Sequence, residues 1–275
     1  MSRRGERLRD ATLHLSTNHG TNVGGNKWRI PLGANGLHGK NVSKAYPVHV
    51  MVPNVFPNVR APYNTFTVEN ITTPGGVITV TIPEQFYSGT ELAAAINVEL
   101  VALGLTDLTV TFVNITAVQT QFRITNASAT ETYSITMSTV DTIGRVLGLP
   151  TTASIQGQFL IVPLEVVNMG EPNLAGVRLV HIKSEKLGHA MGLHSVDRTT
   201  HDMCVSVPFH DVVYGGVAHW APADKDSSML DMAFDICLAN GVDISLWDED
   251  MLPLDLPENL PIEMQFKIIH GMTAL

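Results

Sequence analysis

The chain has 275 residues, of which 44% are apolar and only 16% carry a charge. Together with 22 glycines, these proportions exclude a disordered chain, a collagen and a coiled coil, and they fit one large or two small globular domains. The net charge of −9 is unevenly spread. Residues 1–45 hold eight Lys or Arg and two Asp or Glu, a net charge of +6. Residues 46–275 hold nine Lys or Arg and 24 Asp or Glu, a net charge of −15. A basic N-terminal segment therefore precedes an acidic body.

Residues 1–45 are predicted to form an extended arm. They mix Arg, Gly, Asn and Ser with little periodicity, a composition that buries too little apolar surface to fold independently. The alternating patch at 27–32 places Trp28 and Ile30 on one side, which predicts a strand that joins a sheet or a neighbouring subunit. The arm contains no apolar run typical of a secretory signal, and no window of the chain approaches a membrane span, so synthesis in the cytoplasm is expected.

From Tyr46 onward, apolar residues alternate with a period of two, which is typical of half-buried strands. More than eight such runs separated by Gly, Pro and Asn turns predict an all-β sandwich or barrel over residues 46–275. The runs are Val48-Val50-Val52, Phe66-Val68, Ile78-Val80-Ile82, Leu108-Val110-Phe112, Phe122-Ile124, Tyr133-Ile135-Met137, Leu160-Val162, Val177-Leu179-His181, Cys204-Val205-Val207, Ile244-Leu246 and Ile262-Met264-Phe266-Ile268.

Two short helices are predicted inside this β domain. Ser88 and Glu91 have the spacing of a capping box, which begins a helix that ends at Gly104. A second helix over 141–147 ends before Gly148. These helices define a β/α excursion at about residues 77–150.

The acidic stretch 247–256 lies between two alternating runs and is predicted to be the connection of a terminal hairpin. Charged connections of this kind are usually solvated turns. Oxygen ligands at Asp248, Asp250 and Asp255 offer calcium binding as an alternative, although the ordered D-x-D-x-D-G spacing is missing.

The cysteines and histidines do not form a metal motif. Cys204 and Cys237 both fall in apolar strand-like stretches, which favours reduced, buried side chains. The sequence lacks H-E-x-x-H, an H-x-H followed by a carboxylate, and a cysteine pair, so ordinary loop or core histidines are favoured over a metal site. A pH-sensitive interface is a secondary hypothesis for the six histidines that crowd into 39 residues. They are His181, His189, His194, His201, His210 and His219.

No motif for catalysis is present either. The sequence lacks G-x-S-x-G, and the glycines at 20–25 neither follow a predicted strand nor begin a helix. We therefore expect a protein that is not an enzyme and that needs no cofactor. Arg3, Arg4, Arg7 and Arg9 are able to neutralise phosphates, but without interleaved aromatic residues they are equally a solubilising or protein-docking tail, and no specific nucleic-acid site is predicted.

Several stretches, in order, carry a resemblance to a known family. The stretch HVMVPNVFPNV at 49–59 is similar to a strand followed by P-N-x-x-x-N-I, and VTIPEQFYSGTELAAAIN at 80–97 is similar to I-P-x-G-x-Y-s-x-x-E-L-a-x-a-I-N. Together with segments at 109–112, 121–126, 143–149, 180–184 and 244–256, the chain resembles penton (vertex) capsid proteins of the single jelly-roll type, found in large eukaryotic DNA viruses, virophages and related icosahedral DNA viruses.

The resemblance implies a single jelly roll that forms homopentamers at the five-fold vertices of a virion and contacts the major capsid protein. An arm that points into the shell would reach inner membrane, packaged DNA or minor capsid proteins. The residues expected to make these arm contacts are Arg3, Arg4, Arg7, Arg9, Trp28 and Arg29. The alternatives are a single jelly-roll minor capsid subunit and a receptor- or carbohydrate-binding spike module.

Overall fold

The computed structural model describes residues 11–32, 42–73, 75–116, 119–139, 142–150, 157–184, 192–193, 200–201, 203–222, 230–231, 241–257 and 260–270. The chain divides into two compact units. Unit 1 comprises Met1–Phe56 and Val177–Leu275, and unit 2 comprises residues 57–176.

Strands dominate the described residues. The helices are α1 (Gly89–Ala102) and α2 (Gly144–Leu147), with a 3-10 turn at Thr17–His19. The strands are β1 (Ala11–Ser16), β2 (Thr21–Gly24), β3 (Lys27–Ile30), β4 (Val42–Pro53), β5 (Thr65–Asn70), β6 (Val77–Thr81), β7 (Leu108–Asn114), β8 (Thr120–Asn126), β9 (Tyr133–Thr136), β10 (Gln158–Ile161), β11 (Val166–Asn168), β12 (Leu179–Lys183), β13 (Gly192–Leu193), β14 (Thr200–His201), β15 (Met203–Pro208), β16 (Val217–Trp220), β17 (Leu230–Asp231), β18 (Val242–Trp247) and β19 (Glu263–His270).

Unit 1 contains two five-stranded antiparallel sheets that share one core. The first runs β1-β19-β4-β16, with β17 also paired to β4, and the second runs β15-β12-β18-β3-β2. Val50 and Phe266 from the first sheet pack in the same buried cluster as Val207 and Ile244 from the second. Alternating apolar residues on both sheets thus fill a sandwich. The prediction of an all-β jelly-roll fold is confirmed.

One predicted alternation breaks inside β4. Val50 and Val52 are buried as expected, but Val48 is exposed. The register with β19 shifts at this point, since Gln265 pairs with His49 and Phe266 pairs with Pro47. Val48 is the extra residue of a β-bulge, which turns its side chain out of the core.

Unit 2 has a core of its own. Its four-stranded sheet runs β10-β9-β5-β6 and its three-stranded sheet runs β11-β8-β7. Helix α1 contributes Leu92, Ile96 and Leu100 to the core. The predicted capping box is present, because the Ser88 hydroxyl accepts from the Glu91 backbone N–H and the Glu91 carboxylate accepts from the Ser88 N–H at 2.9 Å.

Two predicted boundaries differ from the structure. Residues 11–32 do not lie in an arm outside the fold: β1 pairs with β19, and β3 pairs with both β18 and β2. The sequence prediction overlooked the alternation of Leu13 and Leu15, whose burial against the core holds β1 in the sheet. The remainder of the predicted arm, residues 1–10 and 33–41, lies outside the described residues. The excursion predicted at about 77–150 lies within unit 2, which extends beyond it at both ends to residues 57–176.

Candidate assembly surfaces

The predicted arm contacts fall into three groups. Arg3, Arg4, Arg7 and Arg9 lie outside the described residues. Trp28 is only 3% exposed and belongs to the core of unit 1, so the prediction of a surface contact at Trp28 is wrong. Arg29, on the opposite face of β3, is exposed and lies across from Asp243 of β18. The structure therefore separates Trp28 from Arg29 by the plane of the sheet.

The acidic connection at 247–256 does not join the strands of a hairpin, contrary to the prediction, because β18 and β19 belong to different sheets. It is built around a buried carboxylate. Asp248 has no exposed surface, and its Oδ1 accepts hydrogen bonds from the backbone N–H of Asp250 at 2.9 Å and of Leu252 at 2.7 Å. Met251, between them, adopts a left-handed conformation with φ of 61°. Asp248 therefore shapes the turn, and the prediction of a solvated turn is wrong at this residue because backbone N–H groups of the turn pair with its carboxyl oxygen.

The described histidines serve different local purposes. His181 is buried, with Nδ1 at 2.7 Å from the Ser206 hydroxyl across the β12–β15 pair. His210 pairs with Asp211 at 2.8 Å on the surface. His219 on β16 lies 5.7 Å from His49 on β4, measured between ring centroids. His189 and His194 lie outside the described residues, and His201 is described only as part of β14.

The described part of the chain contains one of the two cysteines and several of the acids and histidines. Cys204 is buried and reduced, as predicted, whereas Cys237 lies outside the described residues. Among the described residues, no group of three or more His, Cys, Asp or Glu is arranged to hold a metal ion. No described helix combines the length and the apolar character needed to cross a bilayer.

An apolar ridge lies along residues 160–166 of unit 2. Leu160, Val162, Leu164 and Val166 are all about half or more exposed, while Phe159 and neighbouring residues of the same strands face the core. Leu164 forms the tip, 71% exposed, in a left-handed conformation with φ of 62°. A run that is apolar on both faces is typical of a strand covered on both sides. This feature was missed from the sequence, although the run FLIVPLEVV at 159–167 carries the signal.

The ridge is held in place by a buried amide. The Asn126 side chain donates to the backbone carbonyls of Glu131, Ile161 and Val162, and its Oδ1 accepts from the Ser128 N–H. The Leu164 N–H donates to the Ser128 carbonyl. Because the fully buried Asn126 side chain joins backbone groups of residues 128–131 to those of residues 161–162, it fixes the backbone that presents the ridge.

Two further apolar surfaces are exposed. The outer face of α1 carries Ala94, Val98 and Val101 at helical spacing, opposite its core-facing residues. In unit 1, Val213 and Tyr214 lie at the tip of the β15–β16 connection. These residues are the kind of side chain that protein interfaces bury.

Unit 2 is strongly acidic, with nine Asp or Glu, three Arg and no Lys. Arg60 and Arg145 lie over the ring of Tyr63, at 5.8 and 4.5 Å from its centroid, and Arg123 donates to Asn168. All three arginines are thus committed to contacts within the unit.

Asp107 also shapes the electrostatics of unit 2. The Tyr133 hydroxyl donates to its carboxylate at 3.0 Å. Burial, followed by this hydrogen bond and the charges of Asp107 and Glu131, raises the pKa of Tyr133 to about 12. The protonated phenol is therefore the stable form at this position.

Comparisons with known proteins identify a structural relative. No protein-family model matches the chain, and no curated protein matches its sequence. The mavirus penton protein, solved as a selenomethionine-labelled crystal structure, matches with a TM-score of 0.55 over 95% of this chain and 99% of its own, at 12% sequence identity. At that identity the likeness shows a common fold. The resemblance found in the sequence is therefore confirmed at the level of the fold, and this chain has the architecture of a virophage penton protein.

Proposed function

We propose that this chain is a structural capsid protein, a penton subunit that forms homopentamers at the five-fold vertices of an icosahedral DNA virus and contacts the major capsid protein. The observation that carries the proposal is the likeness to the mavirus penton protein along nearly the whole of both chains. The ordered motifs of the sequence favour the same family. The protein acts as a component of the virion rather than as an enzyme.

The exposed surfaces support an assembly role. A subunit of a closed ring contacts two neighbours through two different surfaces, and further contacts join the ring to its surroundings. The apolar ridge at 160–166, the outer face of α1 and the Val213–Tyr214 tip offer several such surfaces on different parts of the chain. Buried in an assembly, these side chains would contribute the hydrophobic free energy that they lack in the isolated chain.

The basic N-terminal residues are proposed to contact components beneath the vertex. Arg3, Arg4, Arg7 and Arg9 directly precede β1, and Arg29 is exposed on β3. Inner membrane, packaged DNA and acidic minor capsid proteins all present negative charge that would attract this segment. Deleting residues 2–10 leaves β1 intact and should lower the occupancy of vertices, measured by particle reconstruction. Unchanged occupancy would contradict the proposed contact.

The position of the chain in a particle tests the main proposal. Five copies around each five-fold axis are expected in a reconstruction of the virion. A general or six-fold position would instead favour the alternative of a single jelly-roll minor capsid subunit. A peripheral position outside the continuous shell, combined with binding to a defined glycan array, would favour the spike module.

A further inference from the structure

Both free edges of the larger sheet of unit 2 lack charged residues. The sheet runs β10-β9-β5-β6, and within the described ranges neither β10 nor β6 has a second strand beside it. The sequences QFLI of β10 and VITVT of β6 contain no charge. Soluble proteins usually protect an exposed edge with charged side chains, lysine above all, because a bare edge pairs with other strands. Two uncharged edges on one sheet are therefore suited to pairing.

The register gives the two edges complementary side chains. Leu160 of β10 pairs with Ser134, Ser134 pairs with Glu69, and Glu69 pairs with Val77 of β6. Leu160 and Val77 therefore lie at opposite ends of one row of cross-strand neighbours, each on an edge strand of the sheet. Their side chains are 53% and 63% exposed, respectively. Apolar residues directly opposite each other stabilise an antiparallel pair.

The number of strands sets the direction of such a pairing. All the neighbours in this four-stranded sheet are antiparallel, so β10 and β6 run in opposite directions. A second copy in the same orientation would therefore place its β6 antiparallel to β10. The row that ends at Leu160 would continue with the Val77 of that copy, and the sheet would extend without a change of hydrogen-bond pattern.

Charge also favours the edges as the meeting point. Nine acids against three arginines give unit 2 a net charge of −6, which repels a second copy of the unit. The acid that follows the β10 edge, Glu165, is tied down by a hydrogen bond from the Val162 N–H to its carboxylate at 2.8 Å. The two uncharged edges let copies approach without placing like charges in contact.

We propose that β6 of one copy of this chain pairs with β10 of the next, head to tail, through the edges of unit 2. This pairing rests on the proposed homopentamer and assigns one of its subunit interfaces. A head-to-tail contact uses two different surfaces on each subunit, and it closes into a ring when the rotation between copies is an integral fraction of a turn. Five such contacts would join the unit 2 domains around the vertex.

Charge substitutions at the two edges test the pairing with the full-length protein. Val77→Lys and Leu160→Glu each place one unpaired charge in the contact and should weaken assembly roughly 30-fold or more. In the double variant, the lysine of one copy faces the glutamate of the next, so the ring should recover. Thr109→Lys, an exposed change on the edge strand β7 of the other sheet, is the control and should assemble like the wild type.

Native mass spectrometry and sedimentation at several concentrations measure the assembly, and circular dichroism checks that each variant is folded. A pentameric wild type, dissociated single variants and a restored double variant are expected. Pentamers that persist in both folded single variants would overturn the strand pairing and leave the homopentamer standing. A wild type that stays monomeric at every concentration would overturn the homopentamer and the pairing together.

Discussion

Replacing Leu164 by glycine should give a more stable protein than replacing it by alanine. Leu164 has φ of 62°, where the Cβ atom of any L-residue crowds the backbone at a cost of about 1–2 kcal/mol. Glycine removes that cost but loses about 0.5–1 kcal/mol through the greater freedom of the unfolded chain. Both variants lack the leucine side chain beyond Cβ, so its lost contacts cancel. The glycine variant should therefore exceed the alanine variant by about 0.5–1 kcal/mol.

The assay is equilibrium denaturation in urea, with the midpoints of the two variants compared at equal slope. Leu160 supplies the matched control, because it is also an exposed leucine of the ridge but lies in the regular strand β10, outside the left-handed region. There, glycine should be less stable than alanine by about 0.5–1 kcal/mol. Equal or lower stability of the glycine variant at position 164 would refute the strain assigned to this turn.

Four further changes test unit 2. Asn126→Ala should lower the free energy of unfolding by about 2–4 kcal/mol, because the change removes a fully buried amide together with its hydrogen bonds to the backbone of two chain segments. A loss below about 1 kcal/mol in denaturant titration would contradict the bridging role. Ser88→Ala should cost about 1 kcal/mol at the start of α1, and the same assay should show a smaller change for Thr90→Ala. Hydrogen bonds from Ser88 lower the pKa of Glu91, so the stability that this carboxylate contributes is complete above about pH 5 and is lost as the pH falls through the lowered pKa. Glu91→Gln should therefore reduce the loss of stability with falling pH. An unchanged dependence of stability on acid pH would contradict the capping role of the carboxylate. The raised pKa of Tyr133 means that its contribution is complete below about pH 10 and is lost as the pH rises towards 12, so Tyr133→Phe should remove this alkaline loss, whereas an identical alkaline profile would disprove it.

Much of the fold follows from local patterns in the sequence. The capping box at Ser88 and most of the alternating strands are present as predicted, because period-two burial and helix capping depend on neighbouring residues. The exposed position of Val48 could not be predicted, since a bulge depends on the register with a strand more than 200 residues away. For the same reason, the burial of Trp28 in the core of its own unit was not distinguishable from contact with a neighbouring subunit.

The candidate surfaces were harder to predict than the fold. Leu160 and Val162 were identified as an alternating pair, yet they face outward while Phe159 and Ile161 face the core. In a run that is apolar at every position, periodicity does not reveal which face is buried. Asp248 presents the opposite case, because a carboxylate in an acidic loop is expected in solvent, and only the fold of the turn shows its hydrogen bonds.

The junctions of unit 2 with the rest of the chain lie side by side. A Cβ atom on Gly176 would come within 3.4 Å of the Asn58 backbone, and the Asn58 amide donates to the carbonyls of Tyr87 and Leu174. Because the chain leaves unit 2 where it began, the strands of both five-stranded sheets of unit 1 are drawn from outside 57–176. Unit 2 is thus a continuous insertion that contributes none of its described strands to the two five-stranded sheets of unit 1. A change of length or sequence between residues 57 and 176 therefore leaves the strand register of the unit 1 sandwich unchanged.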